Sequence, residues 1–113
     1  MIKVSVLYPR TAESTFDMKY YCDHHMPMVT ERFGPLCKAI AVEEGLLGSA
    51  PGSDPPFMAM GHMYFESIEE FQTAFQPHAA ELMGDVKNYT NVEPIIQISE
   101  VRIASANFTA AGA

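Results

Sequence analysis

Apolar residues recur along this chain with two different periods, and the order in which those periods follow one another constrains the fold more than any single motif. A two-residue period marks residues 2–8, with Ile2, Val4, Val6 and Tyr8 on one face, Lys3, Ser5 and Leu7 on the other, and Pro9 as the stop. Winding residues 17–33 at about 100° per residue gives an inner side with Met18, Tyr21, Cys22, His25, Val29, Arg32 and Phe33. Asp17, Lys19, Asp23, His24, Thr30 and Glu31 fall outside. Pro27 also lies outside, where its missing N–H either bends the helix around a core or breaks it in two near Met26. Gly34 and Pro35 end the helical pattern, and residues 36–43 and 57–65 read as strands flanking a Gly- and Pro-rich loop. Ser67 followed by Glu70 is a capping box for a second helix with the stripe Ile68, Phe71, Phe75, Ala79 and Leu82, stopping near Gly84. Pro94 leads into a last strand over residues 95–103.

The resulting order, strand, helix, strand, strand, helix, strand, predicts an α+β, ferredoxin-like βαββαβ domain over residues 1–104, with residues 105–113 as a short C-terminal tail. Four antiparallel strands would carry both helices on one face. The strands read as apolar on both sides, so the face without helices needs cover, and a two-fold homodimer through that open face supplies it.

Composition narrows the partners. Seven basic against fourteen acidic residues give a net charge of −7, and the basic residues are scattered singly, which argues against nucleic acid. A run of about 18 apolar residues that could span a membrane is missing, and Met1 leads straight into a strand pattern without a secretory leader, so a cytoplasmic location is expected. Cys22 and Cys37 lack zinc-site spacing, His24 and His25 diverge by about 100° on a helix, and no Gly-rich nucleotide motif follows a strand. Neither a metal nor any other cofactor is expected.

His25, central on an apolar helix face, is the sharpest candidate for a catalytic base; the competing reading is a core histidine satisfied by a backbone carbonyl or by Tyr8 or Tyr64. On the third strand Met58, Met60, His62 and Tyr64 share one face, and Ala59, Gly61, Met63 and Phe65 the other. Were the first of these faces to look towards the helices, one pocket would gather His25, His62, Tyr64, His78 and Tyr8. Were it to look away, His62 and Tyr64 would belong to the dimer interface. His78 borders the second helix's stripe beside Pro77. His25, His62, Tyr64 and His78 are therefore the candidate catalytic residues, and Tyr8, Tyr21, Met58 and Met60 the candidate lining for a small hydrophobic ligand, methionines suiting a pliable apolar pocket.

Segments spread over the whole chain carry a family likeness: the opening 1–9, Phe16-Asp17-Met18-Lys19-Tyr20-Tyr21 running into His25-Met26-Pro27, Ala59-Met60-Gly61-His62, Phe75-Gln76-Pro77-His78-Ala79-Ala80-Glu81, Asn88-Tyr89-Thr90 and Gln97-Ile98-Ser99-Glu100. In this order they resemble the EthD family, named for a protein associated with bacterial degradation of ethyl tert-butyl ether. The resemblance implies a dimeric α/β barrel, a fold shared with polyketide cyclases, cofactor-free monooxygenases, muconolactone isomerase and haem-binding enzymes, so the fold does not choose a reaction. It favours a functional His25, within His-Met-Pro. The expected activity is cofactor-independent acid/base chemistry on a small hydrophobic molecule. The alternative is a non-catalytic accessory module that carries a ligand or haem for a partner oxidase.

Overall fold

The computed structural model describes residues 1–106; residues 107–113 of the expected tail lie outside the described residues. Strands β1 (Ile2–Pro9), β2 (Ala39–Glu44), β3 (Phe57–Phe65) and β4 (Ile95–Glu100) form one sheet in the order β2-β3-β1-β4, with antiparallel neighbours throughout. Two helical runs cross it: α1 (Met18–Tyr20) and α2 (Met26–Phe33) joined by a π turn at Tyr21–His25, then α3 (Ile68–Phe75) and α4 (Ala79–Gly84) joined by a 3-10 turn at Gln76–His78. This is the ferredoxin-like arrangement expected. Two strands are shorter than their patterns: Leu36 falls in a 3-10 turn before β2, and β4 ends at Glu100 rather than Ile103.

Register decides which face meets the helices. Val4 pairs with Met63 and Val6 with Gly61, so Ile2, Val4, Val6 and Tyr8 share a face with Ala59, Gly61, Met63 and Phe65. That face holds the core. Phe65, fully buried, meets Phe33 and Phe71 edge to face at 5.4 and 5.3 Å, locking both helical runs to β3. At Gly61 a side chain would run into the Tyr21 hydroxyl, so only glycine lets that ring lie on the strand.

The first helical run is neither straight nor broken. A helical Pro27 offers no N–H and its ring crowds the carbonyl four residues back; the Met26 N–H, just before it, reaches the Tyr21 carbonyl, five residues back. The widened turn accommodates one extra residue. His25 and Met26, though adjacent, are therefore both buried, whereas Cys22, expected inside, is exposed. After Phe33, Gly34 takes a positive φ of 63°, which a glycine at a helix end adopts without strain. Ser67 caps α3 as the sequence predicts, its hydroxyl accepting from the Glu70 N–H at 3.1 Å.

The face away from the helices corrects the expectation of an apolar surface. Strand alternation puts Lys3, Ser5, His62, Gln97 and Ser99 there among Leu7, Met60 and Ile95, so it is a mixed surface. Edge strand β4 also exposes apolar side chains, with Ile95, Ile96 and Ile98 at 51, 48 and 41%.

Candidate functional site

Between the helix-covered sheet face and the helices lies a cavity of about 200 Å³. Val4, Val6, Val29, Met63, Phe75 and Ile96 contribute to its apolar walls, and among the described residues no Lys, Arg, Asp or Glu lines it. Its polar lining residues, His25, Tyr8, Tyr21 and Tyr89, cluster together: the Tyr89 hydroxyl lies near both the Tyr8 hydroxyl and His25, and the Tyr21 ring stacks on His25.

Three elements place these four side chains. Tyr8 stands at the end of β1 where the register with β3 slips, and is 1% exposed. Tyr21 and His25, four residues apart across the π turn, stack with ring centres 5.4 Å apart and planes 14° apart. Tyr89 follows a 3-10 turn at Val86–Asn88. Its loop is tied to the start of the first helical run by the Asp17 N–H donating to the Tyr89 carbonyl at 2.8 Å and by a bridge between Phe16 and Thr90. Those ties bring the Tyr89 ring to 4.7 Å from that of His25.

A chain of polar contacts runs from Asp85 through His25 to Tyr89 and Tyr8. Asp85, at the end of α4, lies 2.9 Å from Nδ1 of His25 and also accepts from the Tyr20 hydroxyl at 2.8 Å and the Asn88 amide at 2.9 Å. A carboxylate only accepts, so Nδ1 carries a proton, and in the neutral tautomer this fixes, Nε2 is the acceptor. The Tyr89 hydroxyl is 3.5 Å from that Nε2 and 2.7 Å from the Tyr8 hydroxyl. Burial pushes the Asp85 carboxyl up, but the bonds from Asn88, His25 and Tyr20 outweigh it and hold the group below the ordinary carboxylate range. Burial pushes the hydroxyls of Tyr8, Tyr21 and Tyr89 well above the ordinary tyrosine value, so all three stay protonated as donors.

Of the residues singled out in the sequence, the structure brings together His25, Tyr8 and Tyr21. His62, Tyr64 and Met60 lie on the opposite sheet face, where His62 Nδ1 pairs with the Ser5 hydroxyl at 2.9 Å and Nε2 lies 3.5 Å from Glu43. Met58 is buried without lining the cavity. His78 ends a 3-10 turn outside the cavity, with no side-chain cap bond to α4. Asp85 and Tyr89 are the residues the sequence reading missed. Both sit in a polar loop without periodicity; the only signal was Tyr89's place in the Asn88-Tyr89-Thr90 segment of the family likeness.

A family model described as the EthD domain matches residues 9–93. The chain belongs to the EthD family. The crystal structure of an EthD-like protein from Ralstonia eutropha is similar at 48% identity with a TM-score of 0.88, covering 93% of this chain and 95% of that one. An EthD family protein from Bacillus halodurans, at 21% identity and a TM-score of 0.60 over 89% of this chain and 98% of that one, shares the fold. Among curated proteins, an uncharacterized 11.0 kDa protein in the thcB-thcC intergenic region of Rhodococcus erythropolis is 29% identical over 92 residues, 80% of this chain and 85% of that protein. Among the described residues of this EthD-family chain, no helix is long and apolar enough to cross a membrane.

Proposed function

We propose that this EthD-family protein binds a small apolar organic molecule in the helix-side cavity and moves a proton on it, with His25 as the base. The observation that carries this reading is the Asp85–His25 pair: a carboxylate fixes the tautomer from behind, so the nitrogen turned towards the cavity's tyrosines, 3.5 Å from the Tyr89 hydroxyl, is the one that carries the lone pair. Asp85 acts through His25 as a positioning residue and offsets the imidazolium charge that proton transfer creates. Base catalysis of this kind is worth about 10²–10⁴-fold in rate. No step calls on a cofactor, and the reaction suits a cytoplasmic enzyme of small-molecule catabolism. The exposed isoleucines of β4 support assembly as a homodimer, since an apolar edge strand invites a second chain. Sedimentation at micromolar concentration should show twice the 12.5 kDa chain, and a persistent monomer would remove that part of the reading.

Exchange of deuterium into the α-carbon of acetophenone and its small ring-substituted relatives, followed by NMR, tests the base directly. The native protein should accelerate exchange, and His25→Gln should return it to the solvent rate with an unchanged near-UV circular dichroism spectrum. Undiminished exchange in His25→Gln would overturn the role of His25.

A further inference from the structure

Proton removal from a neutral molecule leaves a negative charge, and the cavity contains no cation to receive it. It does contain hydroxyls. The Tyr8 and Tyr89 oxygens are 2.7 Å apart on residues 1 and 3% exposed, and the Tyr89 oxygen lies 3.5 Å from Nε2 of His25. The Tyr21 ring, with its hydroxyl seated over Gly61, packs edge to face on Tyr8 with ring centres 5.6 Å apart. Linked hydroxyls in a dry site polarise one another, so the charge on an oxygen held by one of them is spread over the pair.

We propose that the linked hydroxyls of Tyr8 and Tyr89 form an oxyanion-binding element beside His25, and that the ligand is a neutral, monocyclic-sized phenol or enolisable carbonyl compound whose oxygen becomes negative when His25 takes its proton. This rests on the reading of His25 as the base. With a phenol, the O–H bond breaks, the proton passes to Nε2 and the electron pair stays on oxygen. With a carbonyl compound, the α-C–H bond breaks, the proton passes to Nε2, and its electron pair forms the enolate double bond as the carbonyl π pair moves to oxygen. In both cases charge is conserved within the site: a neutral imidazole and a neutral ligand become an imidazolium, paired with Asp85, and an oxyanion.

Three features select this class. A permanently anionic ligand would meet apolar walls without Lys or Arg, with the Asp85 carboxylate just behind His25. A pure hydrocarbon would offer no oxygen to the Tyr89 hydroxyl, whose contact with Nε2 of His25 is a long 3.5 Å. The volume of about 200 Å³ is below the roughly 300–1,000 Å³ of pockets for drug-sized ligands, which favours one ring over several.

Binding of 4-nitrophenol and of its methyl ether, 4-nitroanisole, to the full chain distinguishes this inference from the reading beneath it. At about one pH unit below the phenol's own pKa, bound 4-nitrophenol should show the phenolate absorption band, and para-substituted phenols of equal size should bind more tightly as their acidity rises. Nitroanisole, unable to ionise, should bind about a hundred-fold more weakly. Tyr8→Phe and Tyr89→Phe, which keep the rings, should each lower the bound phenolate fraction about ten-fold. Equal binding of phenol and ether with a neutral spectrum, while His25-dependent deuterium exchange persists, would overturn the oxyanion element and leave His25 as the base. A phenolate band unchanged in both tyrosine variants would overturn it too. Loss of both phenol binding and His25-dependent exchange in the native protein would overturn both readings.

Discussion

Asp85 is the residue on which the site turns, although it does not line the cavity. Three donors converge on a carboxylate only 14% exposed, so its ionised form is favoured in the folded protein over the unfolded one. A group with a lowered folded pKa contributes stability that is complete above its unfolded value, about 3.9, and is lost as pH falls through the lower folded value. In that window the unfolded chain binds more protons. Denaturant unfolding between about pH 2 and 6 should therefore show stability falling below about pH 4, and Asp85→Asn should flatten that part of the curve. At neutral pH the same variant should cost about 1–3 kcal/mol through weakened charged hydrogen bonds. Parallel curves for the two proteins would mean that the three donors do not distinguish the carboxylate from an amide. His25 and Tyr8 stood out in the sequence because each interrupts or ends an apolar pattern. Asp85 and Tyr89 did not, because a loop held by the Phe16–Thr90 bridge has no period from which a facing can be read.

At the scale of elements, the packing of the first helical run on β3 positions the whole polar end of the cavity. Tyr21 lies over Gly61 with no room for a methyl group between them, and the stacked Tyr21–His25 pair carries that constraint to the base. Gly61→Ala should destabilise the fold by about 1–3 kcal/mol, the usual cost of overpacking, and shift the near-UV circular dichroism of the tyrosines. An unchanged stability and spectrum would show that the run lifts off the strand freely. The pattern of β3 left its orientation open; the small Ala59 and Gly61 explain it once the Tyr21 hydroxyl is seen seated over Gly61. The Ser67 cap was legible. The π turn was not: Pro27 announces a disturbance, but whether the chain bends, breaks or widens depends on which carbonyl the preceding N–H groups reach, and that is a competition among backbone bonds.

For the whole molecule, one sheet separates two environments. The helix side holds an apolar cavity with an Asp–His pair and buried tyrosines; the other side holds His62, Ser5 and Tyr64 on a mixed surface. The order of apolar periods was enough to obtain the sheet, its helices and their common face, because burial of a two-residue and a 3.6-residue pattern admits few layered solutions. It was not enough to divide four histidines between two sides of a sheet, which depends on register. Methionines mark both sides: Met26 and Met63 line the cavity, and Met60 lies on the opposite face. NMR of protein labelled at its methionine methyl groups, titrated with acetophenone, therefore tests the central claim that the helix-side cavity is the ligand site. The methyl signals of Met26 and Met63 should shift and saturate together while that of Met60 stays in place. Movement of Met60 with Met26 and Met63 unchanged would contradict that claim and put the site on the open face of the sheet.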